Sequence, residues 1–218
     1  MDPQDPRSPQ SYRSVAAAGE DEFIIEKSRF IGYAAPAVSE EDARAFIGTL
    51  RKAHPQATHV CSAWIIGAGG LTMHSSDAGE PSGTAGMPML EVLRAENVTD
   101  TVVGAVRYFG GIKLGAGGLT RAYRKTAAIA LHAAGIAAYL RHRSLTLTVD
   151  YGLSGGVSRR LAETRWLLAD TRYDASVHYD LYIPEAECAD CEADIQNWCS
   201  GRAVCVWGGV SYRPVPAE

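Results

Sequence analysis

The 218 residues predict an α+β chain in two units, on three observations. Strand and helix patterns are mixed from Phe23 to Gly135. From Arg143 onward the patterns follow the order βαββαβ, the ferredoxin-like arrangement. Between Ser76 and Tyr123, two glycine-rich loops each lead into a helix, with an apolar strand between them.

The first unit starts with Phe23–Ala37, where Phe23, Ile24, Ile25, Phe30, Ile31 and Tyr33 give strand character broken by a polar turn at Lys27–Arg29. Ser39 stands three residues before Asp42 as a helix-capping pair, and Ala43, Phe46, Ile47 and Leu50 follow at helical spacing. Thr58–Ile66 and Leu71–Ser75 read as strands joined by Gly67-Ala68-Gly69-Gly70. Thr84 is placed to cap the next helix, through Leu90 and Leu93, because Pro88 is tolerated only in a first turn. Thr101–Phe109 is apolar nearly throughout, as a strand covered on both faces is. Leu119, Ala122, Tyr123, Thr126, Ala127, Ala130, Leu131 and Ala134 then form one helical stripe, and Arg121, Arg124 and Lys125 take the other side.

In the second unit, Leu145–Tyr151 reads as a strand and the segment from Ser154 as a helix. Strands near Leu167–Tyr173 and Ser176–Ile183, a helix over Pro184–Cys199 and a strand over Ala203–Tyr212 complete it. The boundary falls near Ala138–Arg143, which gives units of 22–139 and 143–214. The polar segment 1–21 is expected to be a flexible tail.

Composition, at 46% hydrophobic, is that of a globular chain, and no apolar run approaches a membrane span of roughly 20 residues. Five cysteines, an odd number, argue against a disulfide framework and for a reducing, cytoplasmic setting. The net charge of −4 conceals an asymmetry: residues 101–149 carry seven Lys and Arg side chains and no Asp or Glu. Arg107, Lys113, Arg121, Arg124, Lys125, Arg141 and Arg143 form this basic island, which suits either phosphate binding or pairing with carboxylates elsewhere in the fold.

Glycine-rich loops that open helices leave N–H groups unpaired and let another group approach closely, which is the outline of an anion site. Neither loop carries a nucleotide-binding signature such as GxxxxGK[ST]. The expected phosphate contacts are Arg107, Lys113, Arg121, Arg124 and Lys125, assisted by the amides of Gly110, Gly111, Gly117 and Gly118 and by Ser82, Gly83 and Thr84. Asp77 and Glu80, the carboxylates of the first loop, could hold a divalent cation, neutralise Lys113 or Arg121, or tie down loop N–H groups. No cofactor is expected.

Other chemistry has plainer accounts. Cys188, Cys191, Ile195, Trp198 and Cys199 fall on one helical stripe, so core packing is preferred to a zinc site with Cys205. Cys61 and His59 share a strand face, which suits a buried strand as well as a nucleophile and base. His178, Asp180 and Tyr182 share the strand face opposite Val177, Tyr179, Leu181 and Ile183, as packing requires.

The segments Glu26–Ile31, Asp77–Pro88 and Arg107–Tyr123, the last reading RYFGGIKLGAGGLTRAY, resemble the IMPACT family in its YigZ-like bacterial and archaeal branch. The resemblance covers nearly the whole chain from about Glu22. It implies a first domain with the fold of ribosomal protein S5 domain 2, a ferredoxin-like second domain, and a link to translation or RNA. The family usually has two adjacent acidic residues before Gly-Glu-Pro, whereas here the second is Ala78. Eukaryotic relatives compete for the activator of a kinase that acts on an initiation factor, using a further N-terminal domain. A short polar tail stands in that place here, and that partner is not carried over. The expected function is non-catalytic binding of nucleic acid, RNA or the ribosome. The alternatives are a metal-assisted hydrolase at Asp77 and Glu80, acting on a phosphorylated or peptide substrate, and a module for an unidentified protein partner.

Overall fold

Strand β6 (Thr101–Tyr108) is buried at seven of its eight positions, and the first unit is built around it. Its side chains alternate between two cores: Val103 and Ala105 enter one, Val102 and Val106 the other. The computed structural model describes residues 9–67, 69–70 and 72–215. They divide into two compact units, Ser11–Tyr139 and Leu140–Arg213.

Beside β6 lie β3 (Ser28–Pro36) and β4 (His59–Ile66). Outside them are β2 (Gly19–Ile25) and β5 (Thr72–Ser76), giving the all-antiparallel order β2-β3-β6-β4-β5. Helix α1 (Glu40–Ala53) covers one face through Ala43, Ile47 and Leu50. The Ser39 hydroxyl accepts the Asp42 N–H, as the capping pair predicts. Helices α2 (Gly86–Ala95) and α3 (Gly115–Ala134) cover the other face, and the expected α3 stripe is buried along its whole length. Gly32 is why α3 lies so close to β3: a Cβ there would stand 2.4 Å from the Thr126 carbonyl oxygen. Ala68, in the expected β4–β5 connection, and Leu71, the expected first residue of the strand after it, lie outside the described residues.

The expected tail is corrected by strand β1 (Ser11–Val15) and by β2. Val15 is fully buried, and the Ser14 hydroxyl sits 3.1 Å from the Asp100 carbonyl and 3.2 Å from the Thr101 hydroxyl. Charged Glu20, Asp21 and Glu22 disguise β2, which pairs with β3 on one side only and so leaves polar side chains in water. Residues 1–8 of that segment lie outside the described residues.

The second unit is a ferredoxin-like βαββαβ domain. It comprises β7 (Ile136–Val149) from Leu140 on, α4 (Tyr151–Leu161), β8 (Leu167–Tyr173), β9 (Val177–Pro184), α5 (Cys188–Cys199) and β10 (Val204–Val215) as far as Arg213. Within it, β9 and β10 each pair with β7, and β8 pairs with β9. Helix α4 begins at Tyr151 rather than Ser154, and a short 3-10 turn, Glu185–Glu187, precedes α5. Val177, Tyr179, Leu181 and Ile183 enter the core, with His178, Asp180 and Tyr182 on the other face. Cys191 and Cys199 are fully buried in the same core, while Cys188 and Cys205 pack against it. Burial pushes the Cys191 thiol up to about 12 and the Cys205 thiol up to about 11, so both stay protonated and act as small apolar groups.

Candidate anion and nucleic-acid interface

The two glycine-rich loops come together, but they use their polar groups in opposite ways. In the first loop the Asp77 carboxylate turns inward. Its Oδ2 accepts the Gly83 N–H at 2.8 Å, and its Oδ1 accepts the N–H groups of Ala85 at 3.0 Å and Gly86 at 2.8 Å. Burial pushes the Asp77 carboxyl up, the three amides pull it down, and the net shift is downward. Asp77 therefore caps α2 from eight residues upstream of Ala85. Thr84, expected in that role, donates instead to the Pro81 carbonyl at 2.6 Å and is buried, so neither its hydroxyl nor the Gly83 amide is free for an anion.

The backbone of this loop is pinned by β4. The Cys61 thiol donates to the Asp77 carbonyl at 3.0 Å, and His59 Nδ1 lies 2.9 Å from the Ala78 carbonyl. Burial pushes Cys61 up to about 12, which removes it as a nucleophile.

Glu80 is buried beneath the loop. Its Oε1 accepts Arg107 Nη1 at 2.7 Å and the Tyr123 hydroxyl at 2.7 Å. Arg107, expected among the phosphate contacts, is thus a core ion-pair residue lying between the rings of Phe30 and Phe109. A cationic guanidinium this deep requires a carboxylate partner, and Glu80 supplies it. The two carboxylates expected as metal candidates are committed to different partners. Among the described residues no group of three or more His, Cys, Asp and Glu side chains is arranged to hold a metal ion.

The second loop contains no carboxylate, and its groups turn outward. Gly110 is the exception: its N–H donates to the Ser28 hydroxyl at 3.1 Å. A Cβ on Gly110 would stand 2.0 Å from the Lys27 carbonyl carbon, so the residue serves close backbone contact rather than anion binding. Gly111 is exposed at the loop tip. Gly117 and Gly118 belong to the first turn of α3, whose N-terminus has no side-chain cap and no acidic residue. Its leading amides, from Gly115, Ala116 and Gly117, keep the positive end of the helix dipole uncompensated by the chain itself.

Two cavities flank this helix start. One, of about 460 Å³, is bounded by Phe23–Glu26 at the end of β2, by Ile112–Leu114, and by Gly118, Arg121, Ala122 and Lys125 of α3. The other, of about 390 Å³, opens between the two loops. Lys113 and Leu114 line both. Most of the basic island is already engaged: Arg107 by Glu80, Arg124 by Glu91, Arg141 by Glu185, and Arg143 stacked on Trp207. Lys113, Arg121 and Lys125 enter no ion pair among the described residues, and all three line the first cavity, where Lys125 Nζ stands 4.3 Å from the Phe23 ring centroid. Glu26 is the one carboxylate among the residues lining it.

The sequence is 44% identical to the IMPACT family member YvyE of Bacillus subtilis over 177 residues, covering 81% of this chain and 82% of YvyE. The chain belongs to the IMPACT family. It is 35% identical to the family member YigZ of Escherichia coli over 179 residues, covering 81% of this chain and 88% of YigZ. The Impact N-terminal domain matches residues 26–131, and a domain of unknown function, DUF1949, matches residues 147–202. A solved structure titled as the crystal structure of a hypothetical protein superposes with a TM-score of 0.61 at 33% identity, covering 91% of this chain and 97% of its own. The glycine-rich segment 107–123 of this chain lines both cavities. Its arginine at 107 serves the interior, while its lysine at 113 serves the surface. Phe109 and Tyr123 also belong to the site, and sequence reasoning missed them as site residues; His59, weighed as a base for Cys61, belongs to it through its contact with the first loop. The two aromatic residues look like ordinary core positions, and only their place on either side of Arg107 and Glu80 distinguishes them.

Proposed function

We propose that this IMPACT family chain is a cytoplasmic, non-catalytic accessory protein that binds structured RNA, free or in the ribosome, through the cavity beside α3. The observation that carries this reading is the division within the basic island: Lys113, Arg121 and Lys125, three of its seven side chains, share one cavity and enter no ion pair among the described residues. Phosphate groups set there would meet those cations and the positive end of α3 together. Such contacts position a backbone rather than read bases, so sequence preference is low. The link to translation rests on the family resemblance, and the five unpaired thiols suit a reducing compartment.

The test is binding of an RNA hairpin to wild type and to the Lys113→Glu, Arg121→Glu double variant over a range of salt concentrations. Wild-type affinity should fall steeply with salt, and the double variant should lose binding while its melting temperature holds. Unchanged affinity in the double variant would remove this surface from the function.

A further inference from the structure

The cavity between the two loops has chemistry that phosphate binding alone does not use. At about 390 Å³ it falls within the roughly 300–1,000 Å³ range of small-molecule sites. Pro81, Leu114 and Leu119 give it an apolar wall, and Phe109, a large aromatic left 45% exposed, stands at its edge with Arg107 stacked on the ring. A flat ring has a place to lie there. Lys113 and the opening residues of α3, Gly115 and Ala116, line the same cavity and supply positive charge for an anion attached to that ring.

Two inner groups define the polar edge of the ligand. His59 Nδ1 faces the Ala78 carbonyl, which can only accept, so the neutral imidazole carries its proton on Nδ1 and leaves Nε2 as an acceptor. That nitrogen stands 3.9 Å from Glu80 Oε1, beyond hydrogen-bond distance, and the His59 side chain is 20% exposed. Arg107, 5% exposed, also lines the cavity, and its buried Nε finds no acceptor among the described residues. The interior therefore offers one unused acceptor, His59 Nε2, beneath an aromatic face and beside a cationic rim.

We infer that this cavity receives a single unstacked nucleotide of RNA, its base on Phe109 with an N–H edge toward His59, and its phosphate at Lys113 and the α3 N-terminus. This rests on the RNA reading for its biological source but not for its chemistry. A fully paired A-form helix cannot offer such a base, whereas a bulge can.

The experiment compares two hairpins of equal length and charge, one fully paired and one with a single-nucleotide bulge, and in parallel titrates adenosine and guanosine monophosphates by NMR. Wild type should favour the bulged hairpin by about tenfold or more, the size of a base–aromatic stack. Phe109→Ala should erase that preference while paired-hairpin affinity persists, and Phe109→Tyr should restore it. Equal binding of the two hairpins by wild type, or a preference that survives Phe109→Ala, overturns the inference and leaves the RNA reading standing. If neither hairpin binds, the RNA reading fails, and the monophosphates decide: saturable shifts lost in both Phe109→Ala and Lys113→Glu uphold the pocket. Absence of those shifts sinks it.

Discussion

The first loop, Ser76–Gly86, and the second, Gly110–Gly118, are both glycine-rich and both lead into a helix, yet one is closed on itself and the other faces outward. The difference is a carboxylate. Asp77 takes three amides of its own loop, and Glu80 takes Arg107 and Tyr123, so the first loop spends its charge on internal order. The second loop has no acidic residue, and among the described residues nothing neutralises Lys113 or the amides that open α3. Glycine content thus identifies loops able to present amides, and the presence or absence of an internal acceptor decides whether they do.

If that contrast holds, the largest stability effects lie beneath the first loop. Glu80→Ala leaves the Arg107 guanidinium buried and uncompensated, and should cost about 3–5 kcal/mol in urea unfolding. Replacing both, as Glu80→Met with Arg107→Met, should recover much of the loss, because the penalty comes from the orphaned charge rather than from a missing attraction. A double variant no more stable than Glu80→Ala would show that the pair is worth keeping for its own interaction energy.

Next in size is Asp77→Ala, expected to cost about 2 kcal/mol as a lost helix cap. Its pH dependence is the sharper measurement. The Asp77 carboxyl lies below its ordinary value in the folded chain, so its contribution is fully present above the unfolded carboxylate range near pH 4. It is lost as pH falls through the lower folded value. The stability difference between wild type and Asp77→Ala should therefore shrink on acidification below about pH 4 and stay constant above it. A difference that persists unchanged into strong acid would mean the carboxylate is not the acceptor that orders the loop.

Most of the architecture was legible in the sequence because it rests on periodicity. The α3 stripe, the doubly covered β6 and the βαββαβ order of the second unit follow from where apolar side chains must point. Residues 23–25 read as strand, but the first half of β2 was illegible because Glu20, Asp21 and Glu22 sit at an edge, where burial imposes no pattern on the exposed side. Strand β1 is a five-residue strand inside a segment whose polar composition reads as a tail. At the site, sequence placed the cations and amides but could not sort them. Whether Arg107 faces phosphate or Glu80 depends on a partner 27 residues away, and whether Thr84 or Asp77 caps α2 depends on a loop fold that no local pattern encodes. Tying down the loop's amides was among the roles open to its two carboxylates, and Asp77 fills it, but the cation that Glu80 neutralises proved to be Arg107.

The smallest expected effect separates cations that stand three residues apart on α3. Arg124 already faces Glu91 on an exposed surface, a pairing worth at most about 1 kcal/mol, whereas Arg121 has no carboxylate partner among the described residues and lines the cavity. Stability should change by less than about 0.5 kcal/mol for either alanine variant. RNA binding should tell them apart: each phosphate that is no longer neutralised lowers the slope of log affinity against log salt by about 0.7–0.9. Arg121→Ala should show that full decrement. Arg124→Ala should show less, because Glu91 already neutralises the charge it removes. Equal decrements would mean that Arg124 leaves Glu91 for the nucleic acid, and that pairing in the free chain does not decide which members of the basic island are used.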